Sequence, residues 1–118
     1  MITKKNISLR NIINELIDIY KTKGESFVDA DSGWCIYSSS NEVTLDDECY
    51  ISEYPEYDDD DNEIVEKYII EHNMLLFCTD EVIQDVVCSS LYQKENASCE
   101  EIFKALLYYQ EYDNFMVL

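Results

Sequence analysis

From Glu25 to Glu66 the chain carries fifteen carboxylates and not one lysine or arginine. Its densest part, EYPEYDDDDNE at residues 53–63, places seven carboxylates and two tyrosines in eleven positions. Four consecutive aspartates repel one another and contribute little to a core, so whatever core this protein has must be built mainly elsewhere. Five of the eight basic residues (Lys4, Lys5, Arg10, Lys21, Lys23) fall in the first 23 positions, and the formal net charge is −18. Solubility alone does not require such segregation, whereas blocks of like charge commonly form interaction surfaces.

That charge excludes some partners and favours others. Affinity for phosphates comes mainly from lysine and arginine displacing counterions, so DNA, RNA and anionic membrane surfaces are expected to be repelled. A basic partner is favoured, because complementary fields speed encounter and suppress wrong pairings.

A length of 118 residues fits one domain, 1–118, and 47% hydrophobic residues can supply one modest core. Two glycines and one proline argue against a low-complexity chain. Cys35, Cys49, Cys78, Cys88 and Cys99 are odd in number, widely spaced and free of any C-x-x-C pair. With no apolar N-terminal leader, they are expected to be reduced, buried thiols of a cytoplasmic protein. The run MLLFC at 74–78 is far too short to span a bilayer.

Periodicity predicts an α+β fold. In SLRNIINELIDIY, residues Leu9, Ile12, Ile13, Leu16, Ile17 and Tyr20 share one helical face, with Ser8 as N-cap and Gly24 beyond the end. GWCIYSSS and ECYIS read as neighbouring antiparallel strands, and the acidic run with Pro55 as an exposed loop. NEIVEKYIIEHN predicts a short helix that Asn73 could terminate, and MLLFC a buried strand. Val82, Ile83, Val86, Val87 and Leu91 form a stripe behind a Thr79 or Asp80 cap. Ser98 and Glu101 make a capping box ahead of Ile102, Phe103, Leu106 and Leu107. The expected architecture is a small, mostly antiparallel sheet with about four helices packed on it as a single pair of layers.

Catalytic signatures are missing. The one histidine, His72, falls near a helix end, where an imidazolium suits the dipole. No nucleophile-elbow, zinc-protease, phosphate-loop or dinucleotide motif occurs. Asp58, Asp60 and Asn62 fit the first ligands of a calcium loop, yet Glu63 stands where the turn glycine belongs and Ile69 where the bidentate glutamate belongs. Asp29 and Asp31 place Gly33 one residue too early for the same loop. No catalytic residue, metal or cofactor is therefore expected.

The aromatic residues favour a protein partner. Tyr and Trp anchor interfaces because they bury large area at low rotamer cost. For Trp34 and Tyr68 core packing is the simpler expectation, and Tyr37 and Tyr50 lie in predicted strands. Tyr54 and Tyr57 alternate with carboxylates in the predicted loop, where an exposed interface role fits better. The candidate partner-binding set is Glu53, Tyr54, Glu56, Tyr57, Asp58, Asp59, Asp60, Asp61 and Glu63.

The stretch TDEVIQDVVCSSLYQKENASCEEIFKALLYYQEYDNF, in a small and strongly acidic chain, resembles the immunity proteins of bacterial contact-dependent inhibition and related polymorphic toxin systems. Its order of capped helix, QKENAS turn, capping box and Tyr-Tyr-rich helix ending in YDNF is similar to that of a small uncharacterised-domain family found beside such toxins. These features concern packing rather than chemistry. The resemblance implies an inhibitor of a cognate toxin, many of which are nucleases with basic clefts that carboxylates could occupy in place of phosphates. Two other readings share some of this physics: a phage-type acidic nucleic-acid mimic acting on a host nuclease, and a divalent-cation-responsive adaptor.

Overall fold

Helix ends are set locally and fall where the side chains dictate. In the computed structural model, which describes residues 1–118, the chain runs β1 (Lys5–Ser8), α1 (Leu9–Lys23), α2 (Glu25–Ala30), β2 (Cys35–Ser38), β3 (Glu48–Ser52) and β4 (Glu56–Tyr57). It continues through β5 (Glu63–Ile64), α3 (Lys67–Glu71), β6 (Leu75–Thr79), α4 (Asp80–Gln93) and α5 (Cys99–Tyr112). Ser8 Oγ accepts the Asn11 amide and opens α1. Gly24, at φ 97°, closes it by donating its amide to the carbonyls of Ile19 and Tyr20. That backbone conformation is one L side chains rarely adopt. Thr79 caps α4, and the reciprocal Ser98–Glu101 box caps α5.

Strands β1, β3, β2 and β6 lie in that order in one sheet, antiparallel throughout. Period-two alternation sends Ile36, Cys49, Ile51 and Cys78 toward α1, α4 and α5. There they join Leu9, Ile12, Ile13, Leu16, Ile83, Val87, Ile102 and Leu106, all buried. Trp34, 1% exposed, fills this core from the loop before β2. Burying one such side chain contributes about 1.5–3 kcal/mol, so these stripes carry most of the hydrophobic stabilisation.

The expected single pair of layers is incomplete. Cys35, Tyr37 and Tyr50 point to the opposite face, where Ile69 of α3 covers them together with Val65, Tyr68 and Met74. Strands that are apolar on both faces, as CIY is in β2, require cover on both. There are five helices rather than about four, because ESFVDA forms α2 packed on α1 and α4. β1 was hidden in KNIS, which has no alternating pattern of its own. Pairing with β3, Ile7 opposite Cys49, makes it a strand.

Three finer expectations also change: the strand expected to be buried at 74–78 leaves Leu75 and Leu76 exposed. The helix predicted over 62–73 shrinks to α3, since Glu63 and Ile64 pair with β4 instead. Leu107 is exposed, and the buried stripe of α5 is Cys99, Ile102, Ala105 and Leu106. Along β6 the register with β2 slips at Phe77, a bulge that shifts Leu76 opposite Tyr37. No helix is long and apolar enough to cross a membrane.

Candidate functional site: the acidic hairpin and its seat

Residues 53–63 were expected to form a loop and instead make a two-stranded hairpin. Glu56 pairs with Ile64 and Tyr57 with Glu63. One aspartate organises the turn. Asp58 Oδ1 accepts the amides of Asp60 and Asn62, both at 2.9 Å, and Oδ2 accepts Asn62 Nδ2 at 3.3 Å. The Asp58 amide donates to the Asn62 carbonyl, and the Asp61 amide returns to the Asp58 carbonyl, each at 3.0 Å. Asp61 takes a left-handed conformation, φ 62°, which aspartate tolerates better than most residues. The Asn62 amide, followed by that of Asp60, holds the Asp58 carboxyl below its ordinary range. The run of aspartates thus has an internal division of labour. Asp58 shapes the turn, while Asp59, Asp60 and Asp61 are exposed on it.

Elsewhere, several acids are tied into the fold. Arg10 bridges Asp46 at 3.1 Å and Glu100 at 2.5 Å, and these contacts raise its pKa above the ordinary arginine range. Asp47 Oδ2 accepts the Thr44 amide at 2.7 Å. Asp31 pairs with the amino group of Met1, Glu66 with Lys4, Glu71 with Lys67 and Glu101 with Lys94. None of these ion pairs includes Glu53, Glu56, Asp58, Asp59, Asp60, Asp61 or Glu63. The hairpin's seven carboxylates all lack an intramolecular cation.

Tyr54 and Tyr57, taken together in the sequence, separate in space. Tyr57 is 63% exposed. Tyr54 keeps part of its ring in solvent, but its hydroxyl donates to Asp80, so it tethers the strand leading into the hairpin. Burial, then the Asp80 carboxylate, pushes the Tyr54 phenol above its usual range. Asp80 is 1% exposed at the start of α4. It also accepts the amides of Gly33 at 2.7 Å and Glu81 at 2.8 Å. Its own amide donates to the Trp34 carbonyl, while Trp34 Nε1 and Gln84 Nε2 both donate to the Asp31 carbonyl. A second tether comes from Tyr37, whose hydroxyl donates to the Glu53 carbonyl at 3.0 Å. The hairpin therefore rises from a buried polar knot rather than from a slack chain. TDE in the sequence marks Asp80 as a possible cap, and nothing local marks it as the acceptor for Tyr54.

The remaining chemistry-bearing groups pack structurally. Tyr50, Tyr68 and His72 stack with centroids 4.2 and 3.9 Å apart, and His72 Nδ1 lies 2.8 Å from the Tyr68 carbonyl. Burial drives the thiols of Cys35, Cys78 and Cys88 up to about 12 and that of Cys49 to about 11. Such thiols stay protonated and are poor nucleophiles.

No curated protein and no solved structure matches the chain. A family model described as a domain of unknown function, DUF7716, matches residues 7–118, from β1 through the end of the chain. The match takes in the helix layer, the hairpin and the knot beneath it, and the chain belongs to the DUF7716 family.

Proposed function

We propose that the chain is an immunity-type inhibitor that neutralises a basic toxin domain, of the nuclease kind, through the acidic hairpin. One observation carries the reading: seven carboxylates stand on an ordered, tethered hairpin with no cation of their own, whereas every ion pair of the protein uses an acid outside it. A nuclease cleft is basic because its substrate is a polyphosphate. Aspartates 59–61, held by the Asp58 turn, offer negative charge at close spacing without a reactive phosphorus. Tyr57 supplies the apolar area that charge alone lacks. Inhibition by occupancy requires no chemistry of the inhibitor, and buried reduced thiols suit a cytoplasmic site of action.

The reading expects a toxin gene immediately upstream, and the test uses the domain that gene would encode. Replacing Asp58 to Asp61 by Asn and Tyr57 by Ala should leave the chain folded, slow association and abolish protection of cells from that toxin. The on-rate of the unaltered protein should fall steeply toward ~0.15 M salt, where the screening length is about 8 Å. Unchanged on-rate and protection in the variant would sink the reading, as would the lack of any toxin gene beside this one.

A further inference from the structure

β6 pairs with β2 on one side and closes the sheet with an edge on the other. Edge strands expose unpaired backbone groups, which proteins usually blunt with charge, proline or a covering element. This one reads LLFCT, without charge or proline, and its Leu75 and Leu76 are 73% and 47% exposed. From α5 its backbone receives one bond, Gln110 Nε2 to the Phe77 carbonyl at 2.7 Å.

Apolar grooves flank the edge on both faces of the sheet. Toward the helix layer, Val43, Phe103 and Leu107 line one groove with Leu75 and Leu76. On the α3 side, Val65, Ile70 and Met74 line a second groove with the same two leucines. Side chains of a strand alternate between its two faces, so a strand laid along β6 would find an apolar groove for every residue near Leu75 and Leu76. Each groove also holds an acid, Glu42 in the first and Glu63 in the second.

We propose that β6 is a docking edge that takes an extended segment of a basic protein by strand addition. Apolar side chains of the segment alternate into the two grooves, and its lysines and arginines reach Glu42 and Glu63. Charge chooses this occupant over a second copy of the chain, which would bring another −18 to an already acidic surface. Glu63 belongs both to the second groove and to the hairpin, so edge and hairpin are continuous. The inference rests on the inhibitor reading for the identity of the partner, and adds how that partner is held.

The probe is a short peptide alternating valine with lysine, titrated into the intact isotope-labelled chain beside its valine–glutamate counterpart. The lysine peptide should shift the amide resonances of Leu75, Leu76 and Phe77 and slow their hydrogen exchange, and the glutamate peptide should not. Leu75→Thr with Leu76→Thr keeps the charge, strips the groove walls at exposed positions and should weaken peptide binding roughly tenfold or more. Failure of the lysine peptide to bind overturns the proposal, as do equal binding of the glutamate peptide, shifts away from β6, or a dimer in sedimentation that the threonine pair dissolves. The two readings fail separately. Toxin protection lost with the hairpin variant but kept with the threonine pair removes the docking edge alone. A lysine peptide on β6, with no toxin bound by the chain, removes the inhibitor reading alone.

Discussion

The helix layer and the acidic hairpin are built on opposite terms. In the layer of α1, α4 and α5, apolar stripes are buried and Arg10 and Lys94 neutralise nearby acids. On the hairpin, side chains are exposed, carboxylates lack cations, and order comes from backbone bonds around Asp58 and two tyrosine tethers. A protein with eight basic residues cannot pair twenty-six acids. The four lysines and arginines that form ion pairs meet acids outside residues 53–63, and the hairpin is left charged. Packing and unpaired charge are thereby separated: changes to one region should leave the other largely intact.

The sharpest way to break that separation is to cut into the core. Leu16→Ala or Leu106→Ala, both at fully buried positions, should each lower unfolding free energy by ~2–5 kcal/mol in urea denaturation. If Asp59→Asn on the hairpin costs as much, the two regions are one cooperative unit and the contrast fails.

An intermediate effect is expected where the regions meet. Asp80→Ala leaves the Gly33 and Glu81 amides and the Tyr54 hydroxyl without their acceptor, a loss of about 1–3 kcal/mol. Tyr54→Phe removes only the tether and should cost ~1 kcal/mol. Hydrogen exchange would locate the damage. Asp80→Ala should loosen β2 and the start of α4, whereas Tyr54→Phe should loosen residues 53–57 alone.

The smallest effect concerns the turn itself. The folded-state pKa of Asp58 is depressed, so the carboxylate is the form that the native turn favours. Its contribution is present above the unfolded value of about 3.9 and is lost as pH falls through the lower folded value. In an acid titration the Asp60 and Asn62 amide resonances should move together in that window. The same resonances holding still while Asp58 protonates would show that the turn does not depend on its charge.

What could be read from sequence depended on how local its cause is. Ser8, Thr79 and Ser98 act within one helical turn, and the stripes of α1, α4 and α5 repeat every three or four residues, so their spacing alone displays them. β1 is a strand only because β3 lies beside it, and Ile64 follows β4 rather than the helical spacing it shares with Tyr68. Of the candidate binding set, composition singled out the members, but it could not divide them. Asp58 as organiser, Tyr54 as tether and Tyr57 as exposed ring are distinctions made by contacts.

The sequence by itself determined the α+β class, the helix stripes and caps, and a charge that no internal pairing could cancel, because each follows from neighbouring residues or from a sum over all of them. Only the tertiary structure decided that Asp80 would anchor the strand leading into the hairpin and that both sheet faces would be covered. It also decided that a charge-free edge strand would lie open beside the acids. Each of these joins residues far apart in the chain, as Tyr54 meets Asp80 and Tyr37 meets Leu76, and spacing along the chain carries no trace of such meetings.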